Sequence, residues 1–181
     1  MPVPGESLAR WRVRLGYPVA LVCFLLARPT PRSLAIGSGI ALLGLVVRGA
    51  AAGHLRKHDQ LTTSGPYAYT RNPLYLGSAL LAAGFVVAGH SWVAAAVLAA
   101  CFVLIYPAVM RREEQELRAR YGSAYEDYAA HVPLFWPRLA RRRPSDIRFS
   151  WALYRRNREC QAALGFLAAI AILGLIIYTR K

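Results

Sequence analysis

Carboxylates are scarce in this chain. Nine Asp and Glu stand against 23 Lys and Arg over 181 residues, so an acidic residue beside a potential pocket carries unusual weight. Cysteine is rarer still. Cys23 and Cys101 fall inside apolar runs and Cys160 at the edge of one. No C-x-x-C spacing occurs and the count is odd, which argues against a zinc site and against a disulfide framework. The three cysteines read as small apolar residues. His54, His58, His90 and His131 form no metal-binding motif, and no Ser-His-Asp set is legible. There is no GxGxxG fingerprint, no low-complexity tail and no repeat of about 20–50 residues.

Charge of either sign is missing from two long stretches. Leu74–Met110 runs for 37 residues without Asp, Glu, Lys or Arg, and Cys160–Thr179 for 20. A helix crosses a bilayer with about 20 apolar residues, so the second run is one span. The first is two, folded back at Gly89-His90-Ser91. Upstream lie two shorter apolar runs whose flanking Trp11, Arg14, Arg28 and Arg48 can snorkel to the interfaces. The expected fold is all-α: an integral membrane bundle of about five transmembrane helices, near 15–27, 34–47, 74–88, 92–110 and 160–179, in one domain over 1–181. A basic start before a short apolar core also fits a signal peptide. Arginine and proline crowd "ARPTPRS", where cleavage would fall, so the first helix is expected to stay.

What the chain has in excess is positive charge, +14 in all. With the N-terminus in the cytoplasm, segments 1–14, 48–73 and 111–159 hold 19 of the 23 basic residues, as the positive-inside rule requires. The charge therefore reads as orientation and attraction to anionic lipid headgroups, with no nucleic acid as partner. Segment 139–159, where Ile147, Phe149, Trp151 and Leu153 interleave with arginines, is expected to lie on the inner membrane surface as an anchor. The second span is rich in small residues. Ala35 with Gly39, or Gly37 with Ala41, lets another helix approach closely.

Between the second and third spans runs "TSGPYAYTRNPLYLG". Gly65-Pro66 is a turn signal, and Asn72-Pro73 reads as an N-cap followed by proline at the first helical position. Capping leaves Tyr67, Tyr69, Arg71 and Tyr75 unexplained. A helix N-terminus offers unpaired N–H groups to an anion, Arg71 adds a fixed charge with planar donors, and tyrosines supply flat faces for an adenine or a cation. Together they suit a small ligand bearing an anionic group. After the fourth span, Arg111–Arg120 is a strong helix former. Glu114–Arg118 and Glu116–Arg120 are spaced as self-paired surface charges, whereas Glu113 lacks a basic residue four positions on. Tyr121, Tyr125 and Tyr128 share one face if the helix continues past Gly122, and Pro133 closes the segment.

"SGPYAYTRNPLYLG" followed by "EEQELRARYGSAYEDYAAHVP" resembles the isoprenylcysteine carboxyl methyltransferase family and its phospholipid methyltransferase relatives, over about residues 61–137. The resemblance implies a membrane enzyme that transfers a methyl group from S-adenosylmethionine to a lipophilic or lipidated acceptor. It implies a cytoplasmic cofactor region at 54–73 and 111–138, in a bacterial inner membrane. Leu61 and Thr62 would offer backbone contacts to the cofactor. Tyr67, the Arg71-Asn72-Pro73 corner and Tyr75 would line its pocket, with Glu113 opposite. Arg112 takes the role of the family's substrate-facing arginine, although ungapped counting puts that place near Val109. Family members acting on prenylated proteins have histidine where this chain has Asn72, which separates the cofactor expectation from any prenylcysteine substrate.

The residues suit that chemistry without the name. Methyl transfer from a sulfonium needs donor and acceptor held about 3–3.5 Å apart and water excluded. A carboxylate acceptor is already ionised at neutral pH, while an amine would call for a base such as His54 or His58. Two other readings stay open. One is a sterol-type membrane reductase using a nicotinamide cofactor. The other is a non-enzymatic membrane protein that binds lipid through its basic segment.

Overall fold

The computed structural model describes residues 18–56, 60–138 and 148–180. His58, the first residues of the first expected span and the arginine run at 141–143 lie outside them. Every regular element among the described residues is helical. Helix α1 covers 18–25, followed by α2 (Pro31–Ala52), a 3₁₀ turn (Gly65–Ala68), α3 (Pro73–Gly89), α4 (Trp92–Tyr121), α5 (Ser123–His131), α6 (Trp151–Arg156) and α7 (Cys160–Thr179). Three of these, α2, α4 and α7, are long and apolar enough to cross a membrane, and α3 is a shorter apolar helix of 17 residues. This is a helical membrane bundle.

The expected spans and the observed helices agree where charge and helix end together, and differ where they do not. Helix α7 matches its expected span. Helix α2 starts earlier and ends later than 34–47, because Arg32 and Arg48 interrupt hydropathy but not helix. Its true start is a capping box: Thr30 accepts from the Ser33 amide at 3.1 Å and Ser33 accepts from the Thr30 amide at 2.9 Å. Pro31 fits the first helical position. Helix α4 runs on past 110 to Tyr121. Strong helix formers carry it through the membrane boundary, giving a rod about 45 Å long at 1.5 Å per residue. It ends at Gly122, whose φ of 51° breaks the helix, so Tyr121 belongs to α4 and Tyr125 and Tyr128 to α5.

Small residues decide how α2 meets α3. A Cβ on Gly37 would lie 2.3 Å from the Ala88 nitrogen, and one on Gly84 would lie 2.4 Å from the Ala41 nitrogen. The two backbones therefore touch, as small-residue membrane interfaces allow. Of the two expected pairs, Gly37 with Ala41 makes the contact; a Cβ on Gly39 would meet nothing within 4 Å. The α3–α4 turn falls at the expected place. His90 takes a left-handed conformation (φ 48°) and Ser91 caps α4 by accepting from the Ala94 amide at 3.3 Å.

Candidate functional site

The corner before α3 is fixed by a strap of chain that follows α5. Val132 is extended, as the residue before Pro133 prefers, and the strap runs back along residues 67–72. The Arg71 amide donates to the Pro133 carbonyl at 2.9 Å, and the Arg138 amide to the Tyr69 carbonyl at 2.9 Å. The buried Thr70 hydroxyl donates to the Phe135 carbonyl at 2.9 Å. The Tyr128 hydroxyl donates to the Tyr67 carbonyl at 2.7 Å. Beneath the strap Tyr125, Tyr128 and Val132 form a small core with Leu61 and Tyr121 packed against it. The pairing of the two motifs is thus physical: the second motif supplies the clamp that shapes the first.

Asn72 stands at the N-cap position of α3, but its side chain makes no capping bond. It donates from Nδ2 to the Leu134 carbonyl at 3.0 Å, a tether to the strap. The N-cap reading is corrected to that extent. Pro73 lacks an N–H, so the cap has one fewer donor to satisfy.

This framework encloses a cavity of about 720 Å³, within the usual range for a small-molecule site. All eight residues expected at a cofactor lie on its wall: Leu61, Thr62, Tyr67, Arg71, Asn72, Pro73, Tyr75 and Glu113. The Tyr75 hydroxyl donates to Glu113 Oε1 at 2.6 Å, joining the first turn of α3 to α4 across it. Arg112 stands apart. It is absent from the cavity wall and pairs at 3.1 Å with Glu116, an exposed carboxylate at the cavity's rim.

Sequence spacing missed two further features of the wall. Glu114, read as a surface charge paired with Arg118, does meet Arg118 at 3.4 Å, but it also forms an ion pair with Arg71. Arg71 and Glu114 side chains are each only 13% exposed. The Tyr125 hydroxyl lies 3.3 Å from Arg71 Nη1. Glu116, expected to pair with Arg120, meets Arg112 one helical turn back. The second feature is Arg48, read as an interfacial arginine. It donates to both oxygens of Glu159, at 2.6 and 3.0 Å, and from Nη1 to the Ser78 hydroxyl at 2.5 Å. Local periodicity gives no signal for either contact, because each joins residues far apart in sequence, 43 and 111 positions respectively.

Burial shapes the electrostatics. It pushes the phenol of Tyr67 well above its ordinary value near 10, with Tyr128 and Glu113 adding to the rise. Burial does the same at Tyr128, assisted by Tyr125. Both phenols stay protonated, and that of Tyr128 donates to the Tyr67 carbonyl. His54 donates from Nδ1 to the Ala50 carbonyl at 2.8 Å when that nitrogen carries the proton, and its ring packs over Gly65, where a Cβ would lie 2.6 Å away.

The phospholipid methyltransferase family matches residues 36–124, from the small-residue stretch of α2 to the α4–α5 corner. The nickel-cobalt-cadmium resistance protein NccN of Alcaligenes xylosoxydans xylosoxydans is 33% identical over 152 residues, covering 77% of this chain and 71% of that protein. The chain belongs to the phospholipid methyltransferase family. The cobalt-zinc-cadmium resistance protein CzcN of Cupriavidus metallidurans is 35% identical over 137 residues, 72% of this chain and 63% of that protein. Methanethiol S-methyltransferase 2 of Bradyrhizobium diazoefficiens is 38% identical over 86 residues, 46% of this chain and 31% of that protein. No solved structure matches. Membership in the phospholipid methyltransferase family supports methyl transfer by a membrane protein over the nicotinamide-dependent reduction that the sequence also left open.

Proposed function

We propose that the chain is a methyltransferase that uses S-adenosylmethionine to methylate a lipophilic acceptor at the cytoplasmic face of a bacterial inner membrane. The observation that carries the proposal is the shared cavity of the Tyr67–Tyr75 corner and Glu113. An aminoacyl nucleoside sulfonium fits its donor set on three counts. The volume suits a ligand of that size. Arg71 Nε is buried and has no hydrogen-bond partner in the protein, a vacancy that a ligand carboxylate would fill at low cost. Glu113, held by a neutral phenol, adds an anionic charge to the wall facing a cationic ligand.

Bound there, the cofactor supplies an activated methyl group, which passes to a lone pair of the acceptor while the bonding electrons remain on the cofactor's sulfur. The rest falls to the protein. Arg71 and Asn72 hold the corner through the strap, Leu61 and Thr62 present backbone to the ligand, and Tyr67 and Tyr75 close the wall against water. Methyl transfer of this kind gains chiefly from such positioning. The acceptor arrives from the membrane, as the apolar helices α3 and α4 on one side of the cavity suggest. The name of the Bradyrhizobium relative supports a small nucleophilic heteroatom at the acceptor end.

Titration calorimetry on purified protein tests the cofactor. Binding of S-adenosylmethionine and its demethylated product is expected, with a nicotinamide dinucleotide far weaker; the reverse order rejects the proposal. Methyl-labelled S-adenosylmethionine added with host lipid extract then identifies the product.

A further inference from the structure

Arg48 lies four residues from the end of an apolar helix, and Glu159 is only 4% exposed. An ionisable pair at such a depth is costly, and well-packed apolar residues in its place would often be as stable or more so. Several local features nonetheless serve to build this one. Gly77 clears a path for the arginine stem, since a Cβ there would lie 2.5 Å from Arg48 Cγ. Asn157 donates from Nδ2 to the Ala52 and Leu55 carbonyls, at 2.9 and 3.0 Å, and pins the α6–α7 junction to the end of α2. Between them Arg158 takes a left-handed backbone (φ 56°), uncommon for a residue with a side chain, and that turn precedes the carboxylate. Arg48, Ser78 and Glu159 all line the cavity. Arg48 and Ser78 enter it from the apolar helices, where the polar end of a membrane-borne acceptor would arrive.

Paired in this way, the guanidinium is not free to receive an acid. Both oxygens of Glu159 already take Arg48 donors, and the charges cancel within the pair. We propose that Arg48 and Glu159 form the acceptor end of the cavity and select an uncharged nucleophile, such as a thiol, against a carboxylate. The inference rests on the methyltransferase reading for the identity of the site, but the charge preference belongs to the pair itself. A carboxylate set against a pair whose charges already cancel gains no net attraction to offset the loss of its hydration, whereas a neutral thiol has little hydration to lose. In the transfer the thiol sulfur gains the methyl group, and its proton leaves to solvent.

The test compares binding of 1-hexanethiol and hexanoate to the full chain in lipid nanodiscs by calorimetry, against empty nanodiscs. The parent protein is expected to favour the thiol by about tenfold or more. Glu159→Gln should raise hexanoate affinity and reverse or abolish that ratio, because it frees the arginine charge with little change in volume. Equal binding of both probes by the parent protein overturns the proposal without any variant. So does a parent protein that binds S-adenosylmethionine but neither probe, or a folded Glu159→Gln protein with an unchanged ratio. A pair with only a structural role would lower the amount of folded protein and leave the ratio alone. If the probes discriminate as expected while S-adenosylmethionine fails to bind, the cofactor reading falls and the pair's selectivity stands.

Discussion

Tyr75 and Glu113 meet across the cavity at 2.6 Å, although 38 residues separate them in sequence. The contact links the start of α3 to the stretch of α4 just beyond its apolar part. It also gives Glu113 the partner that helical spacing alone denies it.

Tyr75→Phe removes the donor and leaves Glu113 in place, whereas Glu113→Gln keeps an acceptor for Tyr75 and removes the charge. Each is expected to weaken S-adenosylmethionine binding by about 1–3 kcal/mol, the cost of losing a hydrogen bond to a charged group. Calorimetry reads the affinity. Glu113→Gln should retain more thermal stability than Tyr75→Phe, because its amide oxygen can still accept the phenol.

Neighbouring acids on α4 should behave differently. Glu114→Ala leaves Arg71 largely buried with its ion-pair partner gone, and a loss of about 2–4 kcal/mol in stability is expected. Glu116→Ala breaks an exposed pair with Arg112 and should change stability by less than about 1 kcal/mol. Denaturant unfolding of the two variants in matched detergent compares them. Equal losses would refute a buried Arg71–Glu114 pair that contributes to the fold.

Asn72→Asp and Asn72→Ser test the tether between the corner and the strap. Both replacements cap helices well, but neither keeps the Nδ2 donor that holds Leu134. Asn72→Asp also sets a carboxylate against that carbonyl. A stability loss of about 1–3 kcal/mol is expected for Asn72→Asp, with less for Asn72→Ser. Stability like the parent's in both would mean that the tether contributes little.

Alkaline pH should expose the buried phenols. Burial raises the Tyr67, Tyr128 and Tyr125 values above 10 in the folded protein, while in the unfolded chain they ionise near 10. Above that pH the unfolded state binds fewer protons than the native one, so stability falls as pH rises. Below it these groups add no pH dependence. Tyr67→Phe should flatten the fall in a melting series taken from pH 9 to about 11.

The proposed orientation predicts that reporter tags at residues 60 and 140 reach the cytoplasm and that one at residue 90 reaches the other side. Finding 60 and 90 on the same side would exclude a membrane crossing by α3.

What the sequence determined by itself was local or periodic. Missing charge located the apolar helices, the small residues of α2 marked a close helix contact, and Gly89-His90-Ser91 marked the turn between α3 and α4. Aromatic and charged side chains crowded at a helix start need more than capping to explain them, which marked Tyr67, Arg71 and Tyr75; the missing helical partner marked Glu113, and Leu61 and Thr62 came only from the family resemblance. The tertiary structure decided which charges meet. Arg71 and Glu114 are 43 residues apart, and Arg48 and Glu159 are 111 apart. Helical spacing ranks only partners three or four residues away, so it assigned Glu114 to Arg118 alone and gave Arg48 no partner. Asn72 shows the same limit in reverse: its cap position was legible, but its side chain follows the nearest available acceptor. That acceptor, the Leu134 carbonyl, is brought beside it only when the strap folds back over the corner.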